Sequence, residues 1–395
     1  MQYDHMPDPS DSAVYRSLPA QIIEIDGGVI VVRGCTEIKV MGDGAIDAVR
    51  HVWSHAAEVP ASIAEIAAAA AEPDREGITQ LARKLIERRI LVNAEDAGAA
   101  DAPQRETSMD IFLWHFGLTE AEAVSRIDEK QIAVIGVNAI SRRLCEALQA
   151  AGVANVTVVD FALLRNQRLF GSGDAPDLTA WPATGPGPIA YHKWLDDNDP
   201  KGLDCLIVTS DFGAASVLRD WNAFCVENRI AMLPIMLRKL MGYIGPMVIP
   251  GETACYHCLQ SRENSHIDDF DMVRKSETHA PQLQGLSGFF PSMGSILGDL
   301  AAMELFKFYT GAIPSRAAGS LVEVNLLGPS LASRRVLRVP RCPTCAAAVL
   351  RPSASLERAD FIPGPQFYEG ADAPDSGLLT PEEKFGGKTV EKEAL

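Results

Sequence analysis

"IAVIGVNAISRRLCEAL", residues 132–148, decides the fold of the larger part of this chain. Its opening run is apolar without a break and ends on glycine, the signature of a strand buried on both faces. "SRRLCEALQAAG" (141–152) follows as a helix, so strand, glycine loop and helix arrive in that order. The pattern then repeats outward. "NVTVVDF" (155–161) reads as a second buried strand and "LDCLIVTSD" (203–211) as a third, with helix "SVLRDWNAFCVEN" and strand "RIAMLPIML" after it. Strands alternating with helices at this spacing imply a parallel sheet with right-handed crossovers, a Rossmann-like α/β domain.

The loop at the centre of that stretch departs from a phosphate cradle. A cradle reads G-x-G-x-x-G, because the second glycine lets main chain approach phosphate and the third packs helix on strand. Here Gly136 is kept, Asn138 stands at the second position and Ser141 at the third. Asp160 ends the second strand, where an acid commonly holds ribose hydroxyls. The loop is read as a degenerate nucleotide site, with a functional one as the alternative.

Two C-x2-C pairs lie further on, in "GETACYHCLQSR" (251–262) and "PRCPTCAA" (340–347). Cys255, Cys258, Cys342 and Cys345 supply four soft ligands, which suits a structural zinc with a closed shell; a disulfide pair is the alternative. His257 is expected to point away from the metal. Cys35, Cys145, Cys205 and Cys225 read as small core residues.

Towards the amino terminus, "AQIIEIDGGVIVVRGCTEIKVMGDG" holds three β-rich runs separated by Gly-containing turns. Three helical patterns follow, the second capped by Ser62 with Glu65 as a capping box. The third places Ile78, Leu81, Leu85 and Ile86 on one face. Residues 17–95 thus read as a winged-helix-like α+β module behind a flexible segment 1–16. Residues 96–109 read as a linker, 110–350 as the α/β domain and 351–395 as a polar tail, disordered or partner-binding.

Composition narrows the classes. At 395 residues the chain has room for two or three domains, and 47% hydrophobic with 22% charged residues is ordinary for a globular protein. A net charge of −16 argues against an extended nucleic-acid footprint. The longest apolar run is interrupted by Arg238 and Lys239, so no membrane span is expected. The acidic opening lacks a signal core, which with eight cysteines favours a reduced, cytoplasmic setting.

Strand–loop–helix–strand with Asp160, "NQRLF" (166–170), "VTSDF" (208–212) and the paired cysteines resemble the ThiF/MoeB adenylating enzymes of the ubiquitin-activating superfamily. The resemblance covers roughly residues 105–348. It implies an ancestral Mg-ATP site now reduced to Gly136, Asn138, Ser141, Asp160, Arg168 and Asp211, with Ser210 where the metal-holding acid would fall. ATP is therefore not expected in this chain, and no catalytic residue is assigned. With the amino-terminal module added, the chain is similar to partner proteins of azoline-forming cyclodehydratases in ribosomal-peptide (bacteriocin, thiazole/oxazole-modified microcin) pathways. That likeness implies a PqqD-like recognition element for a precursor's leader peptide and a separate ATP-using YcaO protein as partner. It also implies a helix at 289–311 with Met and Phe in the core or in a homodimer contact.

In the module, an exposed strand at Cys35, Thr36, Glu37, Ile38, Lys39 and Val40 would accept an extended peptide by strand addition. Arg83, Lys84 and Arg88 on the third helix would meet the leader's acids, unless they are simply a solvated face. The other readings are an active adenylating enzyme acting on a peptide or carrier-protein carboxyl end, and a winged-helix DNA-binding regulator.

Overall fold

A computed structural model describes residues 13–94, 107–170, 181, 187–280, 287–313, 315 and 317–346. The expected tail (351–395) and most of the expected linker lie outside the described residues. The chain divides into two compact units, Met1–Ala123 and Val124–Leu395.

The first unit begins with β1 (Val14–Ser17), whose first three residues fall in the segment expected to be flexible; Tyr15 is buried and holds the strand to the core. Next come β2 (Gln21–Ile25), β3 (Gly28–Arg33) and β4 (Thr36–Met41), an antiparallel sheet in the order β2-β3-β4. Helix α1 (Ala45–Glu58), β5 (Ala61–Ser62), α2 (Ile63–Ala68), α3 (Arg75–Glu87) and β6 (Leu91–Asn93) follow. Strands β5, β1 and β6 form a second small sheet. Ser62 and Glu65 make the capping box that starts α2. On α3, Ile78, Leu85 and Ile86 are buried together with Ala82, while Leu81 is half-buried. Alternate residues Val29 and Val31 of β3 and Ile38 of β4 face the same core as Val49 and Val52 of α1. Helix α4 (Ser108–Phe116) belongs to this unit, and α5 (Glu120–Asp128) runs across the division.

The second unit is built on β7 (Ile132–Ile135), α6 (Ala139–Ala150), β8 (Val156–Asp160), β9 (Ile189–Ala190) and α7 (Tyr191–Asp197). Then come β10 (Cys205–Ser210), α8 (Ala215–Asn228), β11 (Ala231–Arg238), β12 (Met241–Ile244), α9 (Tyr256–Asn264) and α10 (Phe270–His279). Helix α11 (Pro291–Thr310), β13 (Ser320–Asn325) and β14 (Ser330–Arg335) complete it. One eight-stranded sheet runs β14-β13-β12-β11-β10-β7-β8-β9. The half from β11 to β9 is parallel, whereas β11 to β14 pair antiparallel, so the sheet is mixed and not wholly parallel as the sequence suggested. The cause is local: Lys239 and Leu240 turn the chain sharply with positive φ, and β12 pairs back onto β11 instead of crossing over.

Two further expectations change. The polar stretch after α9 forms α10, which Asp269 starts by accepting the Met272 N–H. Helix α11 packs on α6 through Gly298, where a Cβ would stand 2.8 Å from the Leu144 nitrogen. Phe306 is buried there, but Phe290 and Met303 are exposed, so aromatic and sulfur side chains do not all join the core. Cys145, Cys205 and Cys225 are buried, and burial pushes the first two thiols up to about 12. Cys35 is exposed beside the β3–β4 turn and is no core residue.

Candidate functional site

The four paired cysteines converge. Cys255 caps α9 and Cys258 lies in its first turn, while Cys342 and Cys345 arrive on the segment after β14. All four are buried and their sulfurs lie within 4.8 Å of one another. Neighbouring Sγ atoms stand 3.8 Å (Cys255–Cys258), 3.7 Å (Cys255–Cys342) and 3.5 Å (Cys258–Cys345) apart. A disulfide needs about 2.05 Å, so these sulfurs are not bonded in pairs. The cluster can hold a metal ion. Cys345 is held down at about 5, chiefly by its hydrogen bond with Cys255, and the same contact pushes Cys255 up. Burial pushes Cys258 up to about 11.

The surroundings fix the clasp. The Val339 N–H points at Cys258 Sγ (3.4 Å). Arg262 donates to the Leu337 and Arg338 carbonyls at 2.7 and 3.0 Å, and Arg338 donates back to the carbonyls of Thr253 (3.0 Å) and Gly251. His257 Nδ1 is hydrogen-bonded to Thr344 Oγ1 at 2.9 Å, joining the two pairs without being a ligand. Burial lowers the His257 pKa, which keeps the ring neutral for that contact.

The loop after β7 lies at the point where strand order reverses, between β7 and β10. Gly136 takes φ 107°, and a Cβ there would meet the Thr209 carbonyl oxygen at 2.8 Å, so only glycine fits. Asn138 follows at the second position of the loop. It is fully buried, and its Oδ1 accepts the N–H groups of Ile140 and Ser141, both at 3.1 Å. Its Nδ2 donates to Leu164 O, Thr209 O and Thr209 Oγ1 at 3.3, 2.9 and 2.9 Å. Ser141 Oγ accepts the Asn138 N–H, closing a capping box. The remaining N–H of the first turn, that of Ala139, donates to Asp211 Oδ2 (3.0 Å), and Asn166 Nδ2 donates to the same oxygen (2.7 Å). A side-chain carboxylate thus sits on the amino terminus of α6, where the helix dipole favours an anion.

Asp160 is engaged as well. Arg165 donates Nε to Oδ1 (2.7 Å) and Nη2 to Oδ2 (2.9 Å), both side chains being largely buried, and its guanidinium lies over the Phe170 ring at 4.9 Å. Sequence reasoning gave no role to Arg165, which no motif marks, or to Thr209, which lies in the quoted "VTSDF" but acts on groups inside the loop. Arg168 is exposed, and its charge opposes the burial that raises the Asp211 pKa. Gly136, Asn138, Ser141 and Asp211 meet around one loop, with Asp160 at the end of the adjacent strand.

In the first unit, β4 pairs with β3 on one side and has no second partner among the described residues. Glu37 and Lys39 point out to solvent, Ile38 points into the core, and Thr36 and Val40 are half-buried. Thr36 Oγ1 is hydrogen-bonded to His115 Nδ1 of α4 at 2.8 Å. Arg83, Lys84 and Arg88 are exposed on α3, with Lys84 paired to Glu87 at 2.7 Å. Helix α3 packs on α1, α2 and β6 and makes no extensive contact with β4.

These features define an α/β domain of the nucleotide-crevice class whose crevice loop is filled from within. Residues 192–346 match the sequence profile of the ThiF family. No curated protein matches the chain. Among solved structures it is similar to E. coli MccB with succinimide (TM-score 0.60, 16% identity), over 84% of this chain and 99% of that one. The microcin C7 biosynthetic enzyme MccB in complex with N-formylated MccA is similar over the same shares (TM-score 0.61, 15% identity). A heterocyclase in complex with substrate and cofactor is similar over 84% of this chain and 39% of that chain (TM-score 0.52, 15% identity). At these identities the likeness is one of fold. No helix among the described residues is long and apolar enough to cross a membrane.

Proposed function

We propose that the protein is the leader-binding, activating subunit of a ribosomal-peptide cyclodehydratase, delivering its precursor to a separate YcaO partner that spends the ATP. The observation that carries this reading is the occupied crevice: Asn138, Asp211 and Arg165 satisfy the groups that a nucleotide would otherwise engage. A domain so filled serves as a platform. Two observations support the peptide half of the reading. The edge of β4 that has no partner among the described residues offers main-chain donors and acceptors to an extended leader, and Arg83, Lys84 and Arg88 are exposed on the same unit for its acids. The folds it resembles include one bound to MccA and a heterocyclase bound to substrate. Ile38 would serve the groove through its backbone alone, because its side chain is committed to the core.

In this reading residues 17–95 are the recognition element, 110–350 the docking platform and 351–395 a further partner contact, all in a reducing cytoplasm. The metal is zinc. A tetrahedron with Zn–S bonds of about 2.3 Å has S···S edges of roughly 3.8 Å, near the separations found here. Four thiolates leave no open position, so its role is to hold the fold. An active adenylating enzyme is the weaker reading, since Asp160 and Asp211, two of its three nucleotide contacts, are already engaged.

Calorimetry of the full chain with the leader of the precursor encoded beside its gene tests the proposal. Binding at roughly micromolar affinity, about −8 kcal/mol, is expected. No heat of binding, together with pyrophosphate exchange dependent on a peptide, would replace it with the adenylating reading.

A further inference from the structure

The sheet of the second unit ends on β14, and two properties of that edge point to a partner. The first is an open backbone. Strand β14 pairs with β13 on one side and has no second partner among the described residues. The Val336 N–H bonds the Gly319 carbonyl at 2.8 Å. The pairs in step with it, Arg334–Leu321 and Ala332–Glu323, therefore exchange their hydrogen bonds across the ladder. The alternate residues Leu331, Ser333 and Arg335 turn their N–H and C=O groups outward. All six residues of the strand are exposed, so no described element covers either face of it.

The second property is charge. From Val324 to Ala346 the chain carries four arginines, Arg334, Arg335, Arg338 and Arg341, and no acid, in a protein whose net charge is −16. Arg334 is paired with Glu323 at 2.6 Å, and Arg338 is bonded to the carbonyls of Thr253 and Gly251. Arg335 is exposed and makes no ion pair among the described residues. On the same face of the strand Leu331 is 57% exposed.

We propose that β14 is the docking edge for an extended acidic segment of a partner protein, which joins the sheet as a further antiparallel strand. A carboxylate of that segment lies opposite Arg335 and an apolar side chain opposite Leu331, with the same spacing along the strand as Arg335 and Leu331. A second copy of this chain would set Arg334 and Arg335 against their own kind. A nucleic acid would meet the arginines but leave Leu331 and the outward main-chain groups unused, and the acids of this chain would repel it. Arginine on an open edge also discourages stray strand pairing, and a charge of either sign does that. Docking of an acidic strand depends on the sign. The inference does not rest on the leader-binding reading, which concerns the other unit.

The probe is the peptide Ac-Thr-Glu-Glu-Thr-Val-Leu-Thr-NH2, whose first Glu and whose Leu have the required spacing. In NMR spectra of the full chain, millimolar peptide should shift the amide signals of Leu331, Ser333 and Arg335 more than those of Ala332 and Arg334, which point to β13. The same peptide with Lys in place of Glu should leave them unmoved, as should the acidic peptide N-methylated at alternate residues. Arg335→Glu, which keeps a charge on the edge, should weaken the response at least tenfold with the melting temperature unchanged, whereas Arg335→Lys should keep most of it. Equal responses to the acidic and Lys peptides, or no response to either, would overturn the assignment. So would shifts of these signals by oligothymidylate in place of the peptide, or concentration-dependent shifts without any peptide, which would give the edge to a second copy. These outcomes are read on the wild-type chain, whatever the variants' stability, and calorimetry with the leader succeeds or fails independently of them.

Discussion

The clasp and the crevice loop are opposite cases within one domain. In the clasp, four buried sulfurs lie within 4.8 Å of one another, and their separations fit a shared cation. In the crevice loop, the polar groups are satisfied by neighbours: Asn138 on two N–H groups, Asp211 on a third, Arg165 on Asp160. The lesson is that a motif's chemistry is decided by what its polar groups already touch. The sulfurs of the clasp are placed so that one ion could join them, whereas the first N–H groups of α6 already have side-chain acceptors.

The comparison can be broken most forcefully at the clasp. Cys345→Ser should abolish metal retention, measured as about one zinc per chain in the wild type by elemental analysis. Because binding by such sites is coupled to folding with an apparent energy on the order of 10 kcal/mol, the variant's second unit should melt far below the wild type. An unchanged melt would mean that the sulfurs hold nothing.

Smaller effects are expected in the loop. Arg165→Ala strands a buried carboxylate and should cost about 3–5 kcal/mol in chemical denaturation. Asn138→Ala removes a cap and leaves several buried partners unmet, about 2–3 kcal/mol. If either were neutral, the loop would not be filled in the way described.

Asp211 gives a pH signature. Burial raises its pKa above the ordinary aspartate value, so the folded chain holds that proton more tightly than the unfolded chain. Its contribution is fully present below the unfolded pKa of about 3.9 and is lost as pH rises through the folded value. Asp211→Asn should therefore flatten the stability profile over that acid range. The smallest effect on stability should come from reversing Arg83, Lys84 and Arg88 to Glu, within about 0.5 kcal/mol, because they lie on an exposed face. Leader affinity in the same variant should nonetheless fall by roughly tenfold or more.

Much of this was legible in the residues. Apolar runs ending on Gly136 and Asp160 announced the βαβ start, and Ser62 with Glu65 marked a helix end that the structure reproduces. The two C-x2-C pairs foretold one site, because metal chemistry specifies both residue type and spacing. What the sequence withheld was set by tertiary context. The antiparallel half of the sheet depends on a turn at Lys239 and Leu240, residues with no turn signature. Helix α10 is polar on most faces, so its periodicity is faint. Arg165 carries no motif, and its importance follows only from where Asp160 lies. Asn138 was visible as bulk; that it is also a cap and a bridge to Thr209 required coordinates.

One titration tests the central claim most directly: thermal melts of the full chain with Mg-ATP up to millimolar concentration, followed by crystals soaked at the highest. The account predicts no shift and an Asn138 side chain still bonded to Thr209. A saturable rise in melting temperature, with ordered nucleotide against the start of α6 and Asp211 displaced, would contradict it.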